Sequence, residues 1–128
     1  MFPLSRTKLL ASDFEVAINS TKVDVTHFTS AQISLGLSKY ASLTFFVQGG
    51  NASCSKDVIF KFAAFDSARN QWDTIAFLTV SVPSNGTSVV QKTIAIAPDT
   101  EKIKLLSVQN QETVGGYTVD ANVSIFLK

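Results

Sequence analysis

From Asp13 onward the chain alternates apolar and polar residues in short runs, the pattern of strands with one face in a core and the other toward water. It predicts strands over roughly 13–18, 22–28, 31–36, 41–48, 57–65, 72–82, 88–97, 102–109 and 117–127. The clearest run closes the chain. Val119, Ala121, Val123, Ile125 and Leu127 fall on one face; Thr118, Asp120, Asn122, Ser124 and Lys128 fall on the other, with Phe126 breaking the polar side. Segment 57–65 is apolar on both sides: Val58, Phe60, Phe62 and Ala64 against Ile59, Lys61, Ala63 and Phe65. That fits a central strand, or a strand between a core and an interface.

Turn chemistry separates the runs. Gly49-Gly50-Asn51, Pro83-Ser84-Asn85-Gly86, Pro98-Asp99 and Gly115-Gly116 supply the positive or fixed φ that tight connections need. Asp66–Gln71 joins two strong strands and reads as a hairpin loop. No helix longer than a turn or two is predicted; Ser30-Ala31-Gln32 and Leu37–Ser42 are candidates for short helical turns. The expectation is an all-β, single-domain β-sandwich or jelly-roll of about eight antiparallel strands with an N-terminal arm. The arm is residues 1–12, an aperiodic mixture of apolar and basic side chains, and the sandwich is residues 13–128. Strand order stays open between jelly-roll and immunoglobulin-like arrangements.

Composition narrows the function classes. At 128 residues the chain suits one domain with one core. Eleven basic against ten acidic side chains argue against non-specific nucleic-acid binding and against docking on anionic membranes. One cysteine and one histidine exclude an internal disulfide framework and the common Cys/His zinc sets. The first ten residues lack a signal peptide's pattern, and no apolar run approaches membrane-spanning length. Synthesis in a cytosol is therefore expected, with the sequons at Asn19, Asn51, Asn85 and Asn122 unmodified.

No chemical constellation emerges. A catalytic reading would pair His27 with Cys54, or with a serine and Asp24, but neither pairing has a nucleophile elbow or an oxyanion-hole pattern beside it. Cys54 reads as an incidental thiol in an exposed loop. The carboxylates are scattered, and the nearest calcium-like spacings, Asp99-Thr100-Glu101 and Asp66/Asn70/Asp73, read as turn and strand-edge groups. No catalytic residue, metal site or cofactor is expected.

One anomaly points to contacts. There are ten phenylalanines against two tyrosines and one tryptophan, and period-2 counting cannot put them all on one core face. Outward aromatics on a small domain mark an interface, the alternative being a two-sided core or a shifted strand register. The candidate interface residues are Phe2, Leu4, Leu9 and Leu10 in the arm, with Phe46, Phe65, Trp72 and Phe126 on the strands. The arm could add a strand to a neighbouring subunit, the alternatives being a frayed terminus or a first strand of its own sheet.

The run Leu43–Val47, the Gly-Gly-Asn turn, the strand ending Ala63-Ala64-Phe65-Asp66, the loop into Gln71-Trp72-Asp73-Thr74 and the terminal strand resemble small β-sandwich virion proteins of tailed phages. These include capsid decoration proteins and head or tail attachment domains. The resemblance covers residues 40–128 and departs from the usual Asp-Gly turn at Asp66-Ser67-Ala68-Arg69-Asn70. It implies a non-enzymatic virion protein, most simply a capsid decoration or cement subunit, that binds capsid or other virion proteins by surface complementarity. It further implies a homo-oligomer without cofactor, made in a bacterial cytosol and located in the virion. Carbohydrate-binding sandwiches share the strand–turn–Trp pattern, so a glycan- or receptor-binding module is the alternative, with Trp72, Tyr40 and Tyr117 as its amphipathic aromatics.

Overall fold

The computed structural model describes residues 6–8, 14–16, 20–22, 32–34, 41–66, 68–72, 78–96 and 102–127. These form eleven strands and, among the described residues, no helix: β1 (Arg6–Lys8), β2 (Phe14–Val16), β3 (Ser20–Lys22), β4 (Gln32–Ser34), β5 (Ala41–Gly49), β6 (Asp57–Asp66), β7 (Gln71–Trp72), β8 (Leu78–Pro83), β9 (Val89–Ile96), β10 (Lys102–Asn110) and β11 (Val119–Leu127). Every strand pairing among them is antiparallel. One five-stranded sheet runs from β1 and β2, both on β11, through β5 to β9. A six-stranded sheet runs from β3 and β4, both on β10, through β6 to β7 and β8. The protein is a β-sandwich.

The core lies between the sheets and follows the period-2 pattern. From the five-stranded sheet come Leu43, Phe45 and Val47 of β5, and Val119, Ala121, Val123 and Ile125 of β11. From the other come Val58, Phe60 and Phe62 of β6, Val80 and Val82 of β8, and Ile103, Leu105 and Val108 of β10. Phe45 bridges the layers, its ring centroid 4.8 Å from that of Phe60 and 5.9 Å from that of Phe62, tilted against both. Fully burying each ring contributes about 1.5–3 kcal/mol, with a further increment for tilted aromatic pairs.

Strand β10 changes parity. Ile103 and Leu105 face inward, and so do Val108 and Asn110. The register to β6 shifts between Leu105 and Ser107, so Leu106 is an extra, bulged residue. The bulge turns the second half of the strand by one position and keeps both halves on the core.

Several expected boundaries move. The 72–82 run holds two strands. Phe65 pairs with Trp72 and Phe62 with Leu78, so three steps along β6 answer six along its partner, and one continuous register cannot span them. The 13–18 and 31–36 runs hold β2 and β4, while of 22–28 only Lys22 lies in a described strand. Of the proposed helical turns, Ala41 and Ser42 lie in β5 and Gln32 in β4; residues 30, 31 and 37–40 are outside the described set. Within the expected arm, Arg6–Lys8 pair with Ser124–Phe126 of the same chain.

Candidate functional site

The strands define two ends of the sandwich. At one end three loops converge. Gly50 N–H donates to the Thr118 carbonyl (2.8 Å), Gly86 N–H to the Cys54 carbonyl (2.9 Å), and both the N–H and the hydroxyl of Ser84 to the Lys56 carbonyl (3.2 and 2.7 Å). Glu112, 3% exposed, receives the N–H groups of Ser55 and Lys56 on one oxygen, each at 2.6 Å. Asn110 receives the Glu112 N–H (2.9 Å) and donates to the Tyr117 carbonyl (3.0 Å). This end is a backbone clasp that ties the connection between β5 and β6 to the other two loops.

The clasp corrects one expectation. Cys54 is not in an exposed loop; it is 2% exposed. Its side chain packs where a Cβ on Gly49 would stand, 2.8 Å from the Cys54 Cβ. The residue behaves as a small apolar group closing the clasp rather than as a nucleophile.

The opposite end carries the aromatic cluster. Phe65 of β6 stands opposite Trp72 of β7, ring centroids 5.4 Å apart in an edge-to-face arrangement. Lys104 of β10 pairs opposite Ala63, and its side chain reaches across β6 so that Nζ lies 4.9 Å from the Trp72 ring centroid. All three side chains are half-buried. A cation held over an indole face contributes about 0.5–1 kcal/mol at such exposure, and the edge-to-face pair a similar amount.

The loop sequence aims Trp72. Asp66 Oδ1 accepts the N–H groups of Ala68 (3.0 Å) and Arg69 (3.3 Å), while Oδ2 accepts from Arg69 Nε (2.7 Å). Asn70 then takes φ of 51°, the left-handed conformation Asn tolerates, and returns the chain beside β6. The Arg69 guanidinium, helped by the backbone donors, holds the Asp66 carboxyl below its ordinary range. The hairpin expected over Asp66–Gln71 is thus present, closed by the pairing of those two residues.

The sequence-derived interface candidates separate. Phe65 and Trp72 come together at this end. Phe46 is half-buried on the outer side of the five-stranded sheet, between Asn122 and Gln91. Phe126 stands in β11 between Arg6 and Ser42. Phe2, Leu4, Leu9 and Leu10 lie outside the described residues, as do His27 and Asp24. Lys104 was not foreseen, because its reach to Trp72 depends on strand order. Glu112 read as one scattered carboxylate among ten. No group of three metal-ligating side chains occurs among the described residues.

No family model and no curated protein matches the sequence. Solved structures do match. A CBM4 structure superposes with a TM-score of 0.51 at 14% identity, over 76% of this chain and 58% of that one. The K1 cleaved adhesin domain of Lys-gingipain from Porphyromonas gingivalis W83 gives 0.45 at 17% identity, over 76% and 60%. The native virion of Kashmir bee virus gives 0.38 at 11% identity, over 98% and 69%. The chain thus spans under two thirds of the first two neighbours. At these identities the CBM4 likeness bears on fold alone, and it agrees with the sandwich described above; the other two superpose too loosely to add to it.

Proposed function

We propose that the chain is a non-enzymatic virion structural protein, a capsid decoration or cement subunit that works through protein–protein contacts. The observation that carries this reading is the half-buried aromatic pair Phe65 and Trp72 on the outer side of the six-stranded sheet. A domain that grips a shell junction needs adhesive surface, and large rings at partial exposure supply it. The rigid clasp at the opposite end supports the same role, since a fixed backbone lowers the ordering cost of docking. The phage resemblance over residues 40–128 adds to it. The test is particle composition. Virus particles purified from the source culture should hold the chain in many copies each by quantitative mass spectrometry; particles lacking it overturn the reading.

A second reading, a carbohydrate- or receptor-binding module, is favoured by one specific arrangement. Trp72 is backed by Phe65 and held by Lys104, as an aromatic platform for a sugar ring would be. A glycan array decides it: a signal lost in Trp72→Ala supports the module, and a blank array with native protein rejects it.

A further inference from the structure

The edges of the two sheets are unequal. Strands β1, β2, β3 and β4 are three residues long and β7 is two. Strand β8 ends on Pro83, and the carbonyl of its Ser81 is taken by Lys92 Nζ at 3.0 Å. Short strands, proline and a charge on the edge are the ordinary means of blocking edge-to-edge pairing. Strand β9 lacks the first two. It runs eight residues, Val89–Ile96, without glycine or proline, and pairs with β5 residue for residue over that length with no bulge. Among the described strands it is the terminal one of its sheet. Gln91, Lys92, Thr93 and Ala95 are exposed, and Val89 is 49% exposed, so they are open to a partner. Its single charge, Lys92, is tied to β8.

We propose that β9 is a self-association edge: two copies of this chain pair β9 with β9, antiparallel, about a two-fold axis at Thr93. The register follows from face and charge. Residues directly opposite in an antiparallel pair share a face. If both copies keep their cores on one side of the joined sheet, residues of equal parity must meet. An axis at Lys92 would set two ammonium groups against each other, which is unfavourable. An axis at Gln91 would leave Ile94 to Ile96 without strand partners. The axis at Thr93 puts Lys92 opposite the partner's Ile94, Gln91 opposite the partner's Ala95, and Val90 opposite the partner's Ile96. It also continues a feature already built. Ser124, Thr44 and Thr93 stand in one row across β11, β5 and β9, with the two threonine hydroxyls 2.9 Å apart. Across the axis, threonine meets threonine and the hydroxyl row runs on into the second copy. This edge is independent of the virion reading and of the Trp72 cluster.

Light scattering behind a size-exclusion column tests it on the full chain. The native protein should give twice the 13.8 kDa chain mass. Thr93→Lys and Thr93→Asp should each halve that mass with an unchanged β-sheet circular dichroism spectrum, and an equimolar mixture of the two should restore the dimer. Thr93→Cys should form a reducible dimer on mild oxidation, because opposed residues on paired strands have Cα atoms within disulfide reach. Native protein, its lone thiol buried, should not. A monomeric native chain overturns the proposal. So does a dimer that survives both charge variants, or a dimer whose Thr93→Cys form does not cross-link. The cysteine variant keeps the test valid should a charge variant fail to fold.

Discussion

Single residues set the tolerances of this protein. Gly49 is the tightest. A Cβ there would stand 2.3 Å from the Gly86 carbonyl oxygen, a backbone atom that cannot swing away. Gly49→Ala should therefore cost about 1–3 kcal/mol in urea unfolding, the range for forced overpacking; a variant as stable as native would show that the clasp yields freely. Glu112→Ala should cost about as much, because it removes a buried acceptor from two backbone donors. Asp66 makes a pH prediction. Its folded-state pKa lies below the ordinary value, so its stabilisation is complete above that value and is lost as pH falls through the lower, folded one. The pair is exposed and its contribution to global stability is small. The effect is local, and the only tryptophan sits across the hairpin from Phe65 to report it. Trp72 emission should change on acidification through that window before the core unfolds. Asp66→Asn should show the changed emission already at neutral pH and lose the acid step. An emission trace flat until global unfolding would contradict the role given to Asp66.

At the scale of the element, what could be read from the sequence was whatever alternation carries. Strand β11 shows it best: Val119, Ala121, Val123 and Ile125 are buried as the pattern predicts. Even there Asn122, on the polar face, is 2% exposed, because a face's environment depends on what lies over it and not on the strand alone. The double-sided β6 is indeed central, flanked by β10 and β8. The hairpin at Asp66–Gln71 was legible because turn residues declare themselves locally. The β10 bulge was legible only as a change of phase. The alternation flips at Leu105-Leu106, but no turn residue marks an insertion there, and its place in the pairing shows only against the partner strand. Deleting Leu106 is the corresponding test. It should move either Ile103 and Leu105 or Val108 and Asn110 off the core and leave the protein aggregated or unfolded at room temperature. A folded deletion variant would show that the bulge is incidental. The aromatic cluster was half legible: Phe65 and Trp72 are close in sequence, whereas Lys104 arrives through long-range pairing that no local pattern encodes.

At the scale of the whole molecule, the described residues set different features at the two ends of the sandwich. One end is closed by backbone hydrogen bonds among three loops; the other presents Phe65, Trp72 and Lys104. The aromatic pair Phe65 and Trp72 on the outer side of the six-stranded sheet is the basis of the cement reading. The reading makes a mechanical prediction, since buried contact area across shell junctions opposes the opening of the shell. The most direct measurement is the temperature at which particles release their genome. It would be taken on particles lacking this chain, before and after purified protein is added back. Add-back should raise the release temperature, and Phe65→Ala/Trp72→Ala protein should restore less of it. Release at the same temperature with and without the native chain would contradict the cement reading.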